Sequence, residues 1–459
     1  MANPSPALPN PANRSNRLQH LVDLIGIPVL AVITAFIFGG IVIWITSGSL
    51  LSVQQAYVGM VRGAFLKERA LSESLVATIP YIFLGLAVAV GFKSGMFNIG
   101  VEGQFYLGSL AGAFVGQAFG QSTSLPAIIL MPLSILAGGL TGAIWAGIPG
   151  LLKAKTGAHE VITTIMMNYI AYRTVELVIS GPLKDKVSSA VQTPAAAQAA
   201  WIWSLSSIPA RLKDPLNALG VALYMAIVFF FIGRWIIGRT NLKNRFQKPG
   251  QRRFASLGFA LAVGALFFFL FPPFTRVAWP FQDPYDRLHI GLVLAVSASV
   301  LVWWLLWKTT IGFELRSVGA NANAARYAGV NITRNMVVAM AISGSLAGIA
   351  GTIEVLGVTA CHCMPVLFST GYGFDAIAIA LIAKNDPFGI LAAAFLFGAM
   401  RNGADMMELS SGVSKYVISM IQAMALLFVA APAIIRSIYR FRLRRRDEES
   451  ETLEPRLKG

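Results

Sequence analysis

Long apolar runs separated by short polar or basic stretches set the rhythm of the chain, and about 20 apolar residues suffice to cross a bilayer as a helix. Leu21 to Ile45 is the first such run, and Thr46-Ser47-Gly48-Ser49 ends it. A segment of mixed charge reaches about Glu73, within which Ala56 to Phe65 has amphipathic spacing. Val76 to Phe92 and Phe105 to Phe119 follow, then Ala127 to Leu152. The next span opens at Gly157-Ala158-His159-Glu160 and continues through Ile170. Leu216 to Ile237, Phe254 to Phe271, Ile290 to Trp307, Asn335 to Val358, Ile390 to Asn402 and Tyr416 to Ile435 complete the series. Before the last two, Gly373 to Ala383 predicts a short helix broken at Pro387, the kind of discontinuous element that lines central sites. The pattern predicts an all-α polytopic membrane protein of about twelve spans.

Small residues recur on single faces of these helices. Gly108, Gly112 and Gly116 form one ridge, Gly138 and Gly142 a second, and Gly344, Gly348 and Gly351 a third. Such ridges let helix backbones approach closely in lipid.

Composition agrees with a membrane protein: 56% of the 459 residues are hydrophobic and 13% charged, against about 25% charged in soluble domains. The net charge of +16 does not point to nucleic acid, because the positive residues cluster in short segments beside apolar spans. Arg14 and Arg17 before the first span place the N-terminal tail, residues 1–20, in the cytoplasm, and the arginines from Arg436 to Arg446 do the same for the tail 436–459. Between them, 21–435 is the transmembrane domain. The loop with Arg234, Arg239, Lys243, Arg245, Lys248, Arg252 and Arg253 is also expected inside, against anionic lipid. The proline-rich N-terminus has no early apolar core of a signal peptide, so the first span is read as retained. The two cysteines, in Cys361-His362-Cys363, make no disulfide framework. A bond across one intervening residue is expected to be strained, and no further Cys or His cluster completes a metal site, so the three residues read as loop.

The chemistry concentrates in Gly91-Phe92-Lys93-Ser94-Gly95-Met96-Phe97-Asn98-Ile99-Gly100-Val101-Glu102-Gly103-Gln104, where amides and a carboxylate stand among glycines between two spans. Irregular polar backbone at this depth must face protein or a water-filled path. Two readings stand for Asn98, Glu102 and Gln104: a helix–helix joint, or the wall of a translocation path. On the fifth span Thr163, Thr164, Met167 and Asn168 share a polar stripe, again either pore-facing or bonded to a neighbouring helix. Asp375 is a further polar candidate on the short helix.

Phe97-Asn98-Ile99-Gly100-Val101-Glu102-Gly103-Gln104 resembles the signature of the membrane permeases of ATP-binding-cassette importers for nucleosides and simple sugars, within the larger superfamily of branched-chain amino-acid and ribose permeases. The fifth span, Gly371-Tyr372-Gly373-Phe374-Asp375 and Asn385-Asp386-Pro387-Phe388-Gly389 are similar to the same family, which has glycine where this chain has Ala383. The resemblance implies the fold of the larger (type II) ABC importers, ten core helices, with the hairpin of about 215–275 as an insertion. It also implies that 308–333 is the segment that docks on the ATPase, with Gly312, Glu314, Arg316, Gly319, Asn321, Ala324, Ala325 and Gly329 in that joint and Glu314 and Arg316 able to pair. It implies a substrate path along Asn98, Glu102, Gln104, Thr164, Asn168 and Asp375, with Glu102 a structural carboxylate. The implied partners are an ABC ATPase subunit with two cassettes, a second permease subunit and an extracytoplasmic binding lipoprotein in a bacterial inner membrane.

No Gly-x-x-x-x-Gly-Lys-[Ser/Thr] loop occurs, so ATP is expected on the partner, and no cofactor on this chain. Nucleosides are the first substrate expectation, and sugars such as ribose or galactose the alternative. A proton-coupled transporter with Glu102, Glu160 and Glu354 as relay carboxylates is a rival, against which the docking segment argues. A membrane enzyme of the prenyl-transfer kind lacks the clustered Asp residues it needs for magnesium.

Overall fold

In the computed structural model, the described residues are 26–122, 125–239, 249–281, 283–366, 368–369, 371–431 and 434. The expectations for both tails, and for Lys243, Arg245 and Lys248, fall outside them. Among the described residues the elements are helical: α1 (Ile27–Ser47), α2 (Leu50–Val61), α3 (Ala70–Lys93), α4 (Val101–Ser122), α5 (Ala127–Thr156), α6 (Glu160–Ser180), α7 (Pro215–Arg239), α8 (Pro249–Ala278), α9 (Gly291–Lys308), α10 (Thr310–Ala320), α11 (Ala322–Tyr327), α12 (Ile332–Ile353), α13 (Tyr372–Ile382), α14 (Pro387–Ser411) and α15 (Tyr416–Ala430). Among the described residues, seven helices are long and apolar enough to cross a membrane on length and composition alone. Helices α4, α6 and α14 are of similar length, 22, 21 and 25 residues, but carry the polar side chains of the joints described below.

The bundle is built around α3 and the first turns of α4. Every residue from Thr78 to Gly91 and from Val101 to Leu110 is buried. A helix that is apolar all round has no face to offer water, so it is sheathed by protein or by lipid; here α12, α13 and α14 do the sheathing of α3. The glycine ridges bring α4, α5 and α12 together. A Cβ on Gly348 would lie 2.0 Å from the Gly138 carbonyl oxygen, and one on Gly344 would lie 2.2 Å from that of Gly142. At the same crossing Thr352 donates its hydroxyl to the Gly108 carbonyl at 3.1 Å.

Amphipathic 56–65 resolves into the end of α2 and a π-helical turn, Arg62–Leu66, lying on α14. At this end of the bundle, Arg69 pairs with Asp283 and Arg287 with Glu73. The Asp283 carboxyl is held below its ordinary range by the Tyr285 backbone amide and the Arg69 side chain. The long connection 181–214 lies here too, along residues 356–366. Ile202 N donates to Leu356 O at 2.9 Å and Ala196 N to His362 O at 2.9 Å, and the Trp201 and His362 rings stack at 3.8 Å.

One expectation is corrected in this region. Cys361 and Cys363 form a disulfide, with their Cα atoms 5.0 Å apart, inside the usual range for such bonds. His362 between them has φ +45°; this left-handed residue folds the chain back so that both Cβ atoms face the same way, which an extended reading of the tripeptide misses.

The hairpin α7–α8 packs mainly on itself and meets the rest at Gly220 against Ile128, at the Tyr224 hydroxyl against Ser297 of α9, and at the helical turn Ile208–Arg211. At the opposite end of the bundle, Pro387 opens α14 rather than breaking α13. The turn is made by Lys384 and Asn385, at φ +52° and +56°, while Ala383 stays helical, so the missing glycine is not required. Asp386 caps α14 by accepting from Phe388 N at 3.1 Å and Gly389 N at 2.8 Å. Asp386→Ala is expected to cost about 1 kcal/mol. Thermal unfolding in detergent reads it, and an unchanged midpoint would show that the cap contributes nothing.

Candidate functional site

The polar stretch after α3 folds as a tight turn, Ser94 to Gly100, and its last residues are already helical, so Glu102 and Gln104 sit in the first turn of α4. Asn98 and Gln104 exchange two side-chain hydrogen bonds of 2.9 Å. Asn98 also donates to Ser343 Oγ on α12 at 2.8 Å and accepts from Gly100 N at 3.1 Å. Asn168 on α6 accepts from Gly103 N at 2.8 Å and donates to Ile99 O at 2.9 Å. Thr164, one turn earlier, is buried and returns its hydroxyl to Glu160 O at 2.7 Å. These contacts give each buried amide a partner, as burial in a low-dielectric interior demands, and clamp the start of α4 between α6 and α12.

Glu102 looks the other way. Its two carboxylate oxygens accept from Ser369 Oγ and from Gly373 N, at the first turn of α13. A carboxylate at a helix N-terminus satisfies free amides and complements the helix dipole. Through Glu102, the half-helix α13 starts level with the start of α4, deep in the bundle.

Asp375 belongs to a second cluster. Tyr81, midway along α3, donates to Asp375 Oδ2 at 2.9 Å and accepts from Arg401 Nη1 of α14 at 3.1 Å. The Arg401 guanidinium lies 4.0 Å from the centre of the Tyr372 ring, whose own centre is 4.9 Å from that of Tyr81. The Tyr372 hydroxyl reaches Glu354 Oε1 at 3.4 Å. Sequence reasoning missed Tyr81, Tyr372 and Arg401 as members of a site. An arginine inside an apolar run is the one signal that could have flagged them.

The third constellation is α10–α11, at the end of the bundle away from Arg69. The expected residues divide. Gly312 and Ala325 face inward, together with Leu315 and Val318, which were not among the expected residues. Arg316 donates to Leu306 O at 2.9 Å and lies over the Trp307 ring, and Glu314 accepts from Asn335 at 2.9 Å, so Glu314 and Arg316 are held by neighbouring helices rather than by each other. Gly319, Asn321, Ala324 and Gly329 lie at the surface beside Phe313 and Tyr327, which is 94% exposed. Gly319 also backs onto the turn after α3: its Cβ would lie 2.4 Å from Lys93 O and 2.8 Å from Gly95 N. The docking-like segment and the signature turn are therefore in direct backbone contact.

Residues 70–431 match the family described as branched-chain amino acid transport system, permease component. The chain belongs to that family. The permease is 32% identical to the guanosine ABC transporter permease protein NupP of Bacillus subtilis over 92% of its own length and 96% of the relative's. It is 29% identical to the glucose ABC transporter permease protein TsgB13 of Haloferax volcanii, over 88% and 86%, and 26% identical to the nucleoside ABC transporter permease protein NupB of Lactococcus lactis, over 89% and 91%. No solved structure matches. This permease is accordingly a multi-pass membrane transport protein and not an enzyme, and it is the permease component of a transport system.

Proposed function

We propose that this permease is one of two permease subunits of an ATP-driven importer and forms a path for nucleosides. Supporting the substrate class, the guanosine relative covers nearly the whole chain at 32% identity. Supporting the drive is one contact: the surface segment α10–α11 abuts the signature turn through Gly319. In this reading α10–α11 and both termini lie in the cytoplasm, the side indicated by the basic segments. An ATPase subunit with two cassettes, the site of ATP use, grips Phe313, Gly319, Asn321, Ala324, Tyr327 and Gly329. Gly312, Glu314, Arg316 and Ala325 fasten the segment to the bundle. A binding lipoprotein delivers substrate to the opposite face.

Movement at α10–α11 shifts the Ser94–Gly100 turn, and with it the joint of Asn98, Gln104, Thr164 and Asn168. Glu102 carries that shift to α13 and to Asp375, which borders the path. Ligand- or ATP-linked switching of this kind needs only two packings of one joint with different affinities for the partner. The glucose relative supports a second reading with a simple sugar as cargo.

The test is uptake by proteoliposomes holding the complete system. ATP-dependent accumulation of a ribonucleoside, absent without the ATPase subunit, is expected. Accumulation of glucose or ribose but not nucleosides would move the assignment to sugars, and uptake by this permease alone would overturn it.

A further inference from the structure

We propose that Glu354, Tyr372, Tyr81, Arg401 and Asp375 form the nucleoside-selective station of the path, with Glu354 taking the ribose hydroxyls and the two tyrosine rings taking the base. The proposal rests on the nucleoside reading and names where in the permease that selectivity resides.

The geometry begins with α12. Its α-helical pattern ends at Ile353 and gives way to a π turn, Glu354–Val358. Such turns are often found at functional sites, since they push one residue out of helical register. The residue displaced here is a carboxylate. Glu354 is 7% exposed, and its Oε2 atom is buried with no hydrogen-bond partner among the described residues. Among the described residues its Oε1 has only the long 3.4 Å contact to the Tyr372 hydroxyl. A buried carboxylate oxygen without a donor carries its full desolvation cost, and in a membrane domain such a group marks a place where something else donates.

The neighbours say what that donor is attached to. Tyr372 opens the half-helix α13, and Tyr81 faces it from α3 with the rings tilted by 56°. In this structure the rings close on each other. Parting α13 from α3 releases Asp375 from Tyr81 and leaves two aromatic faces beside an unpaired carboxylate, with Arg401 still bonded to the Tyr81 hydroxyl. A flat heteroaromatic ring stacks between such faces, and adjacent hydroxyls donate to the two oxygens of one carboxylate. A ribonucleoside carries both features. A simple sugar lacks the ring, and a free base lacks the hydroxyl pair.

The experiment compares uptake of a purine ribonucleoside with its 2′-deoxy and 3′-deoxy forms, in proteoliposomes with the complete importer and saturating binding protein. That protein's own preference is then common to every permease variant. Wild type is expected to prefer the ribonucleoside. In Glu354→Gln its uptake is expected to fall roughly 10- to 100-fold, while the deoxy forms fall much less, so the preference collapses. Tyr372→Leu removes one of the two rings that take the base, and in assembled complex uptake of all three nucleosides is expected to fall together, roughly 10-fold, with the preference among them intact. An unchanged ratio in Glu354→Gln, or wild-type uptake in Tyr372→Leu, would overturn the station. Failure of wild type and binding protein alike to take any nucleoside would overturn the underlying substrate reading instead, and leave the variants with nothing to discriminate.

Discussion

Gly319→Val yields a folded permease that transports poorly: uptake by the complete transport system falls about tenfold or more, which corresponds to roughly 1.4 kcal/mol of lost coupling. The position has no room for a side chain. A first carbon there would lie 2.4 Å from Lys93 O and 2.8 Å from Gly95 N, both backbone atoms. Either α10 lifts away or the turn after α3 moves. That turn is ill suited to move, because Gly95 holds φ +74° and Asn98, a few residues on, is fixed by Gln104 and Ser343. Lifting α10 separates the surface proposed to meet the ATPase from the Ser94–Gly100 turn that it abuts. The effect should show as ATP hydrolysis without matching uptake, while size-exclusion behaviour and melting temperature stay close to wild type. Uptake equal to wild type would show that the contact at Gly319 carries no coupling.

Gly348→Leu is expected to be more severe and different in kind. A Cβ at this position would lie 2.0 Å from Gly138 O, with the Gly142 Cα 3.3 Å away. Helices α4, α5 and α12 meet here, so a side chain wedges three backbones apart and strips the Thr352 bond to Gly108. Overpacking against side chains costs about 1–3 kcal/mol; against the backbone of α5, which cannot swing aside as a side chain does, the cost is at least about 3 kcal/mol. Little folded protein should survive extraction. Gly147→Leu on α5 is the control, since nothing lies within 4 Å of a Cβ there, and it should behave as wild type. Equal recovery of both variants would mean that the close crossing does not hold the bundle together.

Hydropathy located most helices but could not say which are central. The spans of α3 and α7 are equally apolar, yet 83% of the α3 window is buried within the chain against 22% for α7. Lipid and protein interior are alike to an apolar side chain, so the distinction is made by partners distant in sequence. The glycine ridges were readable because spacing alone defines them. The signature's fold was partly readable: its amides and carboxylate had to be satisfied, but that Asn98 would find Gln104, and Glu102 the start of α13, required the packed structure. Tyr81 gave no signal in an apolar run, and Cys361 and Cys363 were misjudged because His362 takes a left-handed conformation that few non-glycine residues adopt. Within 308–333 the sequence marked the segment, while only the coordinates separate residues that fasten it from those it presents.

The sheathing of α3 bears on how the chain is made. Residues 70–93 leave the ribosome long before α12, α13 and α14 exist, so the helix must wait in the bilayer with lipid in place of its eventual neighbours. Its sequence suits that delay: Ser74 and Thr78 return their hydroxyls to Ala64 and to Ser74 nearby in the chain, and Gln104 on the following helix finds Asn98 only six positions back. Glu102 has no such local recourse, because Ser369 and Gly373 are more than 260 residues downstream. Insertion can therefore proceed span by span, and the arrival of α13 is the event that commits the nascent bundle to its final arrangement.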